Sequence, residues 1–135
     1  MSENGVGIAP AEGKLGILMV GLGAVSTTLV AGVEAVKRGI SQPVGSLSQM
    51  GTIRLGKRTD NNSPFIKDFV PLASLDDIVF GAWDIFTDNA LDSATNAGVL
   101  ERSLLDQIGE PLSALKPMPA FFEQKWLKRI HGNNV

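Results

Sequence analysis

A glycine-rich segment near the start of the chain has the residue types and spacing that can hold a phosphate. It reads Gly-Leu-Gly-Ala-Val-Ser from Gly21 to Ser26. A pyrophosphate needs free backbone N–H groups at a helix N-terminus and no side chain in its path. Gly21 permits a sharp turn and Gly23 a close approach, while Ser26 replaces the third glycine of G-x-G-x-x-G, which allows tight helix–strand packing. The Ser26 hydroxyl either caps the helix or contacts a phosphate. The segment therefore predicts a dinucleotide site, the alternative being a glycine turn that binds nothing.

The acidic residue that normally binds the ribose of such a dinucleotide is missing from its usual place. It is expected about 20 residues after the glycines, yet residues 40 to 48 contain no acid. The next acid at a predicted strand end is Asp84. Asp84 either accepts hydrogen bonds from the adenosine ribose hydroxyls or only caps the region around Thr87. The local pattern leaves both alternatives open.

A second phosphate motif is nearly present further along the chain. The segment Gly51–Lys57 matches G-x-x-x-x-G-K, but Arg58 follows where serine or threonine would bind magnesium. No apolar strand precedes this segment and no helical period follows it, which disfavours a nucleoside triphosphatase. Arg54, Lys57 and Arg58 are more simply a solvated basic loop. Asp76-Asp77 is more simply a helix or turn boundary than an acid/base pair.

The glycine turn needs a strand before it and a helix after it, and the sequence predicts both. Leu15–Val20 is a short, almost wholly apolar run, as expected of a strand buried on both faces of a parallel sheet. After Gly23 the period changes to that of a helix, which Gly39 ends and on which Glu34 and Arg38 form an i, i+4 pair. Its apolar face consists of Val25, Leu29, Val33, Val36 and Ile40.

An irregular insertion separates this unit from a second strand. The insertion, Val44–Leu72, is rich in glycine, serine, threonine and basic residues and includes a predicted short strand near Phe69-Val70. The apolar run Ile78–Trp83 then repeats the pattern of the first strand and leads into Asp84.

Three helical segments follow the second strand. The first runs from about Asn89 to Ala97, with Thr87 or Asp88 as its cap and Gly98 as its end. Gly109 ends the second. The apolar positions of the second and third segments are Leu100, Leu104, Leu105 and Ile108, and then Phe122, Trp126 and Ile130.

The order of elements predicts an α/β fold with a doubly wound, Rossmann-like parallel sheet. Met1–Gly13, rich in glycine, proline, alanine and glutamate, is predicted to be a flexible leader, and residues 14–135 are predicted to form the domain. Only two convincing core strands are present, too few to cover the apolar faces of four helices. We therefore expect an incomplete domain, the N-terminal part of a longer protein.

Composition excludes several classes of protein. The chain has no cysteine and one histidine, His131, so thiolate metal sites, histidine metal clusters and a Ser-His-Asp triad are disfavoured. A net charge of −2 gives no general attraction for nucleic acid or anionic lipid. The uncharged run Leu15–Val33 is nearly long enough to cross a bilayer, but its glycines disfavour a membrane or export segment. These features favour a cytoplasmic protein.

Four segments together resemble the N-terminal portion of the inositol-3-phosphate synthase family. They are Val20–Val25, Gly51–Arg58, Lys67–Leu72 and Gly81–Ile85, and they occur in the family's order. The resemblance covers nearly the whole chain from Lys14 onward. The Trp-Asp-Ile element is the most specific part, and the glycine turn is similar to that of bacterial members. Eukaryotic members carry asparagines in place of its Ala-Val-Ser.

The resemblance implies an NAD-dependent isomerase of inositol and phospholipid biosynthesis. Such an enzyme converts glucose 6-phosphate to inositol 3-phosphate by internal oxidation, aldol cyclisation and reduction, with NAD regenerated in each turnover. It also implies that the full-length protein is a homo-oligomer, most simply a tetramer. Composition and charge, as above, predict no nucleic acid or membrane partner and no metal ligand. The pyrophosphate would be lined by Gly21, Gly23, Ala24, Val25 and Ser26, and the ribose by Asp84.

The family's catalytic lysines and substrate-phosphate site lie beyond the resemblance, so the catalytic residues stay unassigned. We expect the 135-residue chain alone to be inactive. The alternative is a non-catalytic dinucleotide-binding module or an inert remnant.

Overall fold

The two predicted apolar strands are confirmed and form the centre of the fold. They are β1 (Leu15–Val20) and β2 (Ile78–Asp84). The strands pair in parallel, beginning with Leu15 opposite Ile78.

The chain is represented by a computed structural model, which describes residues 9–10, 12–121, 123, 125–126 and 129. The described residues do not include most of the predicted leader or His131. They also do not include Phe122 and Ile130, the two ends of the predicted last helix.

A third strand, β3 (Met118–Pro119), extends the sheet beyond β2. The order is β1-β2-β3 with both pairings parallel, and Met118 lies opposite Trp83. This strand was not predicted, because it is two residues long and Pro119 has no backbone N–H to donate. Its pairing with the end of β2 nevertheless makes the observed sheet three strands wide.

In the part of the chain that the structure describes, five α-helices accompany the sheet, and the three longest cover one of its faces. Two single 3₁₀ turns, at residues 58–60 and 75–77, are the remaining elements among the described residues. Helices α1, α4 and α5 contact one another, and with Met19 of β1 and Ala82 of β2 they bury a common core. The helices are α1 (Ala24–Lys37), α2 (Leu47–Met50), α3 (Ile66–Phe69), α4 (Ala90–Ala97) and α5 (Arg102–Ala114).

The opposite face of the sheet is apolar and open to solvent. Leu18 is 63% exposed and Val79 is 47% exposed.

Exposed apolar patches favour association between molecules. We expect the chain to self-associate through this face. Leu18→Lys should weaken the association at least about tenfold, since burying one leucine contributes about 1.5–3 kcal/mol. Sedimentation over a concentration series measures this. Val99→Lys is the matched control, because Val99 is 61% exposed in a loop; an equal effect of both substitutions would contradict the prediction.

The insertion is an irregular hairpin rather than a strand-containing segment. Thr52 and Phe65 form an antiparallel bridge, and Ile53 N donates to Pro64 O at 2.9 Å. The predicted strand near Phe69-Val70 is wrong. Residues 66–69 form the single-turn helix α3, and Val70 N donates back to Ile66 O at 2.8 Å. A β-branched, aromatic pair is too short a signal to outweigh this local hydrogen bonding.

The cap predicted for α4 is also wrong. Asn89 caps the helix, and its side-chain oxygen accepts from Leu91 N at 2.9 Å and from Asp92 N at 3.0 Å. Asparagine and aspartate are equally good caps, so the sequence alone did not separate Asn89 from Asp88. The predicted end at Gly98 is confirmed, since Gly98 adopts the left-handed conformation with φ of 64°.

Helix α5 continues past the glycine that was predicted to end it. It runs from Arg102 to Ala114 and contains both Gly109 and Pro111. The buried residues Ile108 and Leu112 explain this, because both are fully inaccessible on the face that packs into the core. Tertiary packing therefore outweighs the low helix propensity of glycine and proline.

The predicted pair on α1 is confirmed and extends to the sheet. Glu34 accepts hydrogen bonds from Arg38 and, at 3.0 Å, from Lys37 Nζ, which also donates to the carbonyl of Ile78 at 2.7 Å. Burial raises the pKa of Glu34, but hydrogen bonds and charges of Lys37 and Arg38 outweigh it and hold the pKa below its ordinary value. Lys37, which is bound to Glu34, thus joins the end of α1 to the start of β2.

Glu34→Gln should make the protein less sensitive to acid. Because the folded-state pKa is depressed, the carboxylate stabilises the fold fully above its unfolded pKa of about 4.3, and this stabilisation is lost as pH falls through the folded value. We expect Glu34→Gln to cost about 1 kcal/mol at pH 7, after allowance for solvent screening, and much less near pH 3. Urea unfolding at both pH values measures this. Asp106→Asn, which removes an exposed pair with Arg102, should change stability by less than about 0.5 kcal/mol. A Glu34→Gln cost that does not vary with pH would contradict the prediction.

Candidate cofactor site

The glycine turn connects β1 to α1 through one buried anchor. Gly21 has φ of 95°, a left-handed conformation that favours glycine, and its N–H donates to Trp83 O at 2.7 Å. Leu22 is 1% exposed and belongs to the hydrophobic core. The Gly21 N–H therefore holds the turn to β2, and the next residue, Leu22, holds it to the hydrophobic core. The role of Leu22 was missed in the sequence, although an apolar residue between two glycines of an uncharged turn is the signal for it.

The first turn of α1 presents free backbone donors. The helix begins after Gly23, which has no side chain to cap it, and no acidic residue lies in its first turn. The N–H groups of Ala24, Val25 and Ser26 have no acceptor within the described part of the chain. Such groups and the helix dipole attract an anion. The start of the 14-residue helix is therefore suited to a phosphate.

The space in front of these donors is open. A Cβ atom built on Gly23 would meet no described atom within 4 Å, and the same is true at Gly21. Val25 is 86% exposed beside this space. The backbone is therefore open to the close approach of a diphosphate, and a side chain at residue 23 would extend into this space. The turn has the uncharged donor set and the clearance that a dinucleotide requires.

The Ser26 hydroxyl has a different partner from those predicted. Its Oγ donates to the carbonyl oxygen of Gly21 at 2.7 Å. The single hydroxyl proton is thus engaged inside the turn, and it neither caps the helix nor is free to bind a phosphate. The backbone N–H of Ser26 stays with the free donors of the first turn. The residue that replaces the third glycine of the motif therefore closes the turn on itself.

Asp84 lies at the end of β2 and contacts the glycine turn directly. One carboxylate oxygen accepts from Leu22 N and the other from Phe86 N at 3.0 Å. Burial raises the pKa of Asp84, but the backbone N–H groups of Phe86, Leu22 and Ile85 outweigh it and lower the pKa below its ordinary value. The side chain is therefore a carboxylate at neutral pH. The hydrogen bond from Phe86 N shows that Asp84 also caps the backbone that follows it, as the second alternative from the sequence predicts in part. Since a carboxylate has about four acceptor positions, these three donors leave room for a ribose hydroxyl.

The other candidate phosphate residues do not join this site. Lys57 precedes the 3₁₀ turn at residues 58–60, and its backbone N–H donates to Asp60 at 2.8 Å. No α-helix begins there, so the arrangement is not that of a triphosphate-binding loop. Asp76 and Asp77 form part of a 3₁₀ turn before β2, with Asp77 paired to Lys14 at 3.2 Å. The predicted boundary role of the aspartates is confirmed.

Two clefts lie away from the glycine turn, beside the C-terminal half of α1 and the insertion. Their volumes are about 580 and 440 Å³, and neither is lined by residues 21–26 or by Asp84. The candidate cofactor site is instead an open surface at the carboxyl ends of β1 and β2. This is where α/β sheets bind nucleotides. The described residues contain no helix long and apolar enough to cross a membrane, and the uncharged run Leu15–Val33 is divided between β1, the turn and α1.

A parallel sheet with a glycine turn, a free helix N-terminus and an acid at the end of the next strand defines an NAD-binding, Rossmann-like domain. Comparison with known proteins agrees. The sequence model of the NAD-binding domain of myo-inositol-1-phosphate synthase matches residues 15–135. The chain belongs to the myo-inositol-1-phosphate synthase family, and NAD is its cofactor.

The relatives found are inositol-3-phosphate synthases. The chain is 46% identical over 129 residues to inositol-3-phosphate synthase 1 of Bacteroides thetaiotaomicron, with 95% of this chain and 29% of the relative covered. It is 37% identical over 138 residues to inositol-3-phosphate synthase 1 of rice, with 90% and 27% covered. A crystal structure of the Caenorhabditis elegans enzyme superposes with a TM-score of 0.70 at 26% identity, covering 89% of this chain and 27% of that one. The chain thus spans less than a third of these relatives.

Proposed function

We propose that this chain supplies the NAD-binding part of an enzyme that converts D-glucose 6-phosphate to 1D-myo-inositol 3-phosphate. The observation that carries the proposal is the row of free N–H groups at the start of α1, behind a glycine turn that leaves their approach open. Family membership supports the reaction, because the relatives are named for its product. The activity belongs to a protein longer than this chain, since the relatives are more than three times as long.

The proposed roles divide the cofactor between two strand ends. Gly21 and Gly23 give clearance for the pyrophosphate, and the N–H groups of Ala24, Val25 and Ser26 hold its oxygens. The Asp84 carboxylate accepts a hydroxyl of the adenosine ribose. When bound, NAD supplies a nicotinamide that accepts a hydride from the substrate and returns it. The described residues orient the cofactor, and we assign none of them to proton transfer.

The proposal extends to the location and the assembly of the whole protein. The family resemblance supports a cytoplasmic enzyme of inositol and phospholipid biosynthesis that works as a homo-oligomer, most simply a tetramer. Glucose 6-phosphate is the proposed substrate, and no nucleic acid or membrane partner is proposed. Size measurement on a protein that carries the remaining length tests the assembly.

A chimera tests the proposed reaction. Residues 15–135 of this chain replace the matching segment of the Bacteroides thetaiotaomicron relative, to which the chain is 46% identical. We expect the chimera, given NAD, to convert glucose 6-phosphate to an inositol phosphate. The same chimera with Gly23→Val should fold and form no product. A folded chimera that binds NAD but forms no product would contradict the proposed reaction. The chain would then be a dinucleotide-binding module of another kind.

A further inference from the structure

The peptide group between Gly21 and Leu22 is held at both of its polar ends. Its carbonyl oxygen accepts from Ser26 Oγ at 2.7 Å, and its N–H donates to a carboxylate oxygen of Asp84. One holder belongs to the first turn of α1 and the other to the end of β2, 62 positions from Leu22 in the sequence. The side chains of Ser26 and Asp84 therefore form hydrogen bonds to the two opposite edges of one peptide group.

We propose that Ser26 and Asp84 are positioning residues, which clamp the Gly21–Leu22 peptide and hold the phosphate-binding turn in its binding conformation before NAD arrives. The inference rests on the cofactor site proposed above. It gives Ser26 a role through its hydroxyl that the third glycine of the motif does not have. It also gives Asp84 a second role, in addition to the ribose contact.

The turn requires such a clamp because its backbone is unusually free. Gly21 has φ of 95° and no side chain, and Gly23 follows one residue later. Glycine loses more conformational freedom on ordering than any other residue. A rotation of the peptide plane would break both hydrogen bonds and turn a carbonyl oxygen toward the Asp84 carboxylate. The two side chains therefore exclude the alternative orientation of this peptide.

The clamp also couples the two halves of the cofactor site. The Asp84 carboxylate accepts from Leu22 N of the turn, and it keeps an acceptor position for the proposed ribose hydroxyl. A change that loosens the turn thus displaces the group that would contact the ribose. Order that is present before binding lowers the cost of binding. Removing either holder should therefore weaken NAD binding, although Ser26 Oγ itself has no proton left for the cofactor.

Three substitutions at residue 26 separate the hydroxyl from the packing of the side chain. Ser26→Ala and Ser26→Gly both remove the hydroxyl, and Ser26→Gly restores the third glycine of the motif. Ser26→Thr keeps the hydroxyl. Asp84→Asn weakens the other holder, because a neutral amide oxygen is a poorer acceptor than a carboxylate. Calorimetry with NAD gives the affinity, and amide hydrogen exchange of Leu22 in the NAD-free protein gives the order of the turn.

The expected results differ between the hydroxyl and packing roles. Ser26→Ala and Ser26→Gly should each weaken NAD binding about tenfold, or about 1.4 kcal/mol, and speed exchange of the Leu22 amide. Ser26→Thr should restore both. The effects of Ser26→Ala and Asp84→Asn should combine to less than their product, because either one releases the same peptide.

Each contrary outcome overturns a definite claim. Leu22 exchange in Ser26→Ala that equals that of the original chain overturns the clamp. Tight NAD binding by Ser26→Gly overturns the role of the hydroxyl. Effects that multiply independently overturn the coupling between Ser26 and Asp84. If the original chain binds no NAD, the proposed cofactor site fails, while the exchange rate of Leu22 in the free protein still decides whether the clamp exists.

Discussion

Gly23→Val should abolish measurable NAD binding and leave the fold intact. Gly23 has φ of −83°, which any residue adopts, and a Cβ atom there meets no described atom within 4 Å. The free protein can therefore accept the valine. In the complex, its methyl groups would occupy the space in front of the first-turn N–H groups of α1. The pyrophosphate would lose close contact with those donors, so we expect at least about a hundredfold loss of affinity, or about 2.8 kcal/mol.

Calorimetry with NAD measures the loss, and a second glycine of the same helix supplies the control. Gly32 also has open space around its Cβ position and lies well inside α1. Gly32→Val should keep NAD affinity within about twofold, since residue 32 lies more than two turns from the start of α1. Valine also has a higher helix propensity than glycine, so the helix should be retained. An affinity of Gly23→Val within about threefold of the original chain, with urea unfolding unchanged, would show that the pyrophosphate does not lie at this helix start.

Gly21 gives a useful contrast, because its substitution should affect both properties. Its φ of 95° is a conformation that side chains disfavour. Gly21→Ala should therefore lower stability by about 1–2 kcal/mol as well as affinity. Gly23→Val separates binding from folding and Gly21→Ala does not. The two glycines of one motif thus have different physical reasons to be glycine.

The sequence predicted those parts of the fold that depend on local chemistry. The strand Leu15–Val20, the glycine turn and the start of α1 follow from apolar pattern, glycine position and period, and all three were located correctly. The same holds for the second strand up to Asp84 and for the left-handed end of α4 at Gly98. Each is decided by residues that are neighbours along the chain.

The features that were missed depend on contacts between distant residues. Helix α5 continues through Gly109 because Leu112 is buried against other elements. The strand β3 exists only by pairing with the end of β2. The bond from Leu22 to Asp84 joins residues that only the fold brings together. The sequence pattern identified Asp84 as a candidate acid for the cofactor site. Its contact with the turn could be found only from the three-dimensional structure.

Ile108→Ala should cost more stability than any other substitution considered for this chain. Ile108 is fully buried in α5, beside the equally buried Leu112, in the core that α5 shares with α1 and α4. Removing a buried isoleucine side chain to Cβ typically costs about 2–5 kcal/mol, through lost transfer energy and the cavity left behind. Whole domains are stable by only about 5–15 kcal/mol. The variant should therefore unfold at a much lower urea concentration.

Urea unfolding measures this cost, and NAD supplies a second readout. Gln107→Ala is the control on the same helix, since the Gln107 side chain is exposed and bonds only to Ser103 O at 3.0 Å among its described contacts. We expect that change to stay within about 0.5 kcal/mol. A ligand that binds only the folded state raises stability by about 2.7 kcal/mol at 100 times its dissociation constant. Saturating NAD should therefore recover part of the loss in Ile108→Ala, because the substitution removes none of the groups proposed to hold the cofactor. If NAD stabilises the original chain but restores no stability to Ile108→Ala, the packing of α5 on α1 also shapes the cofactor site.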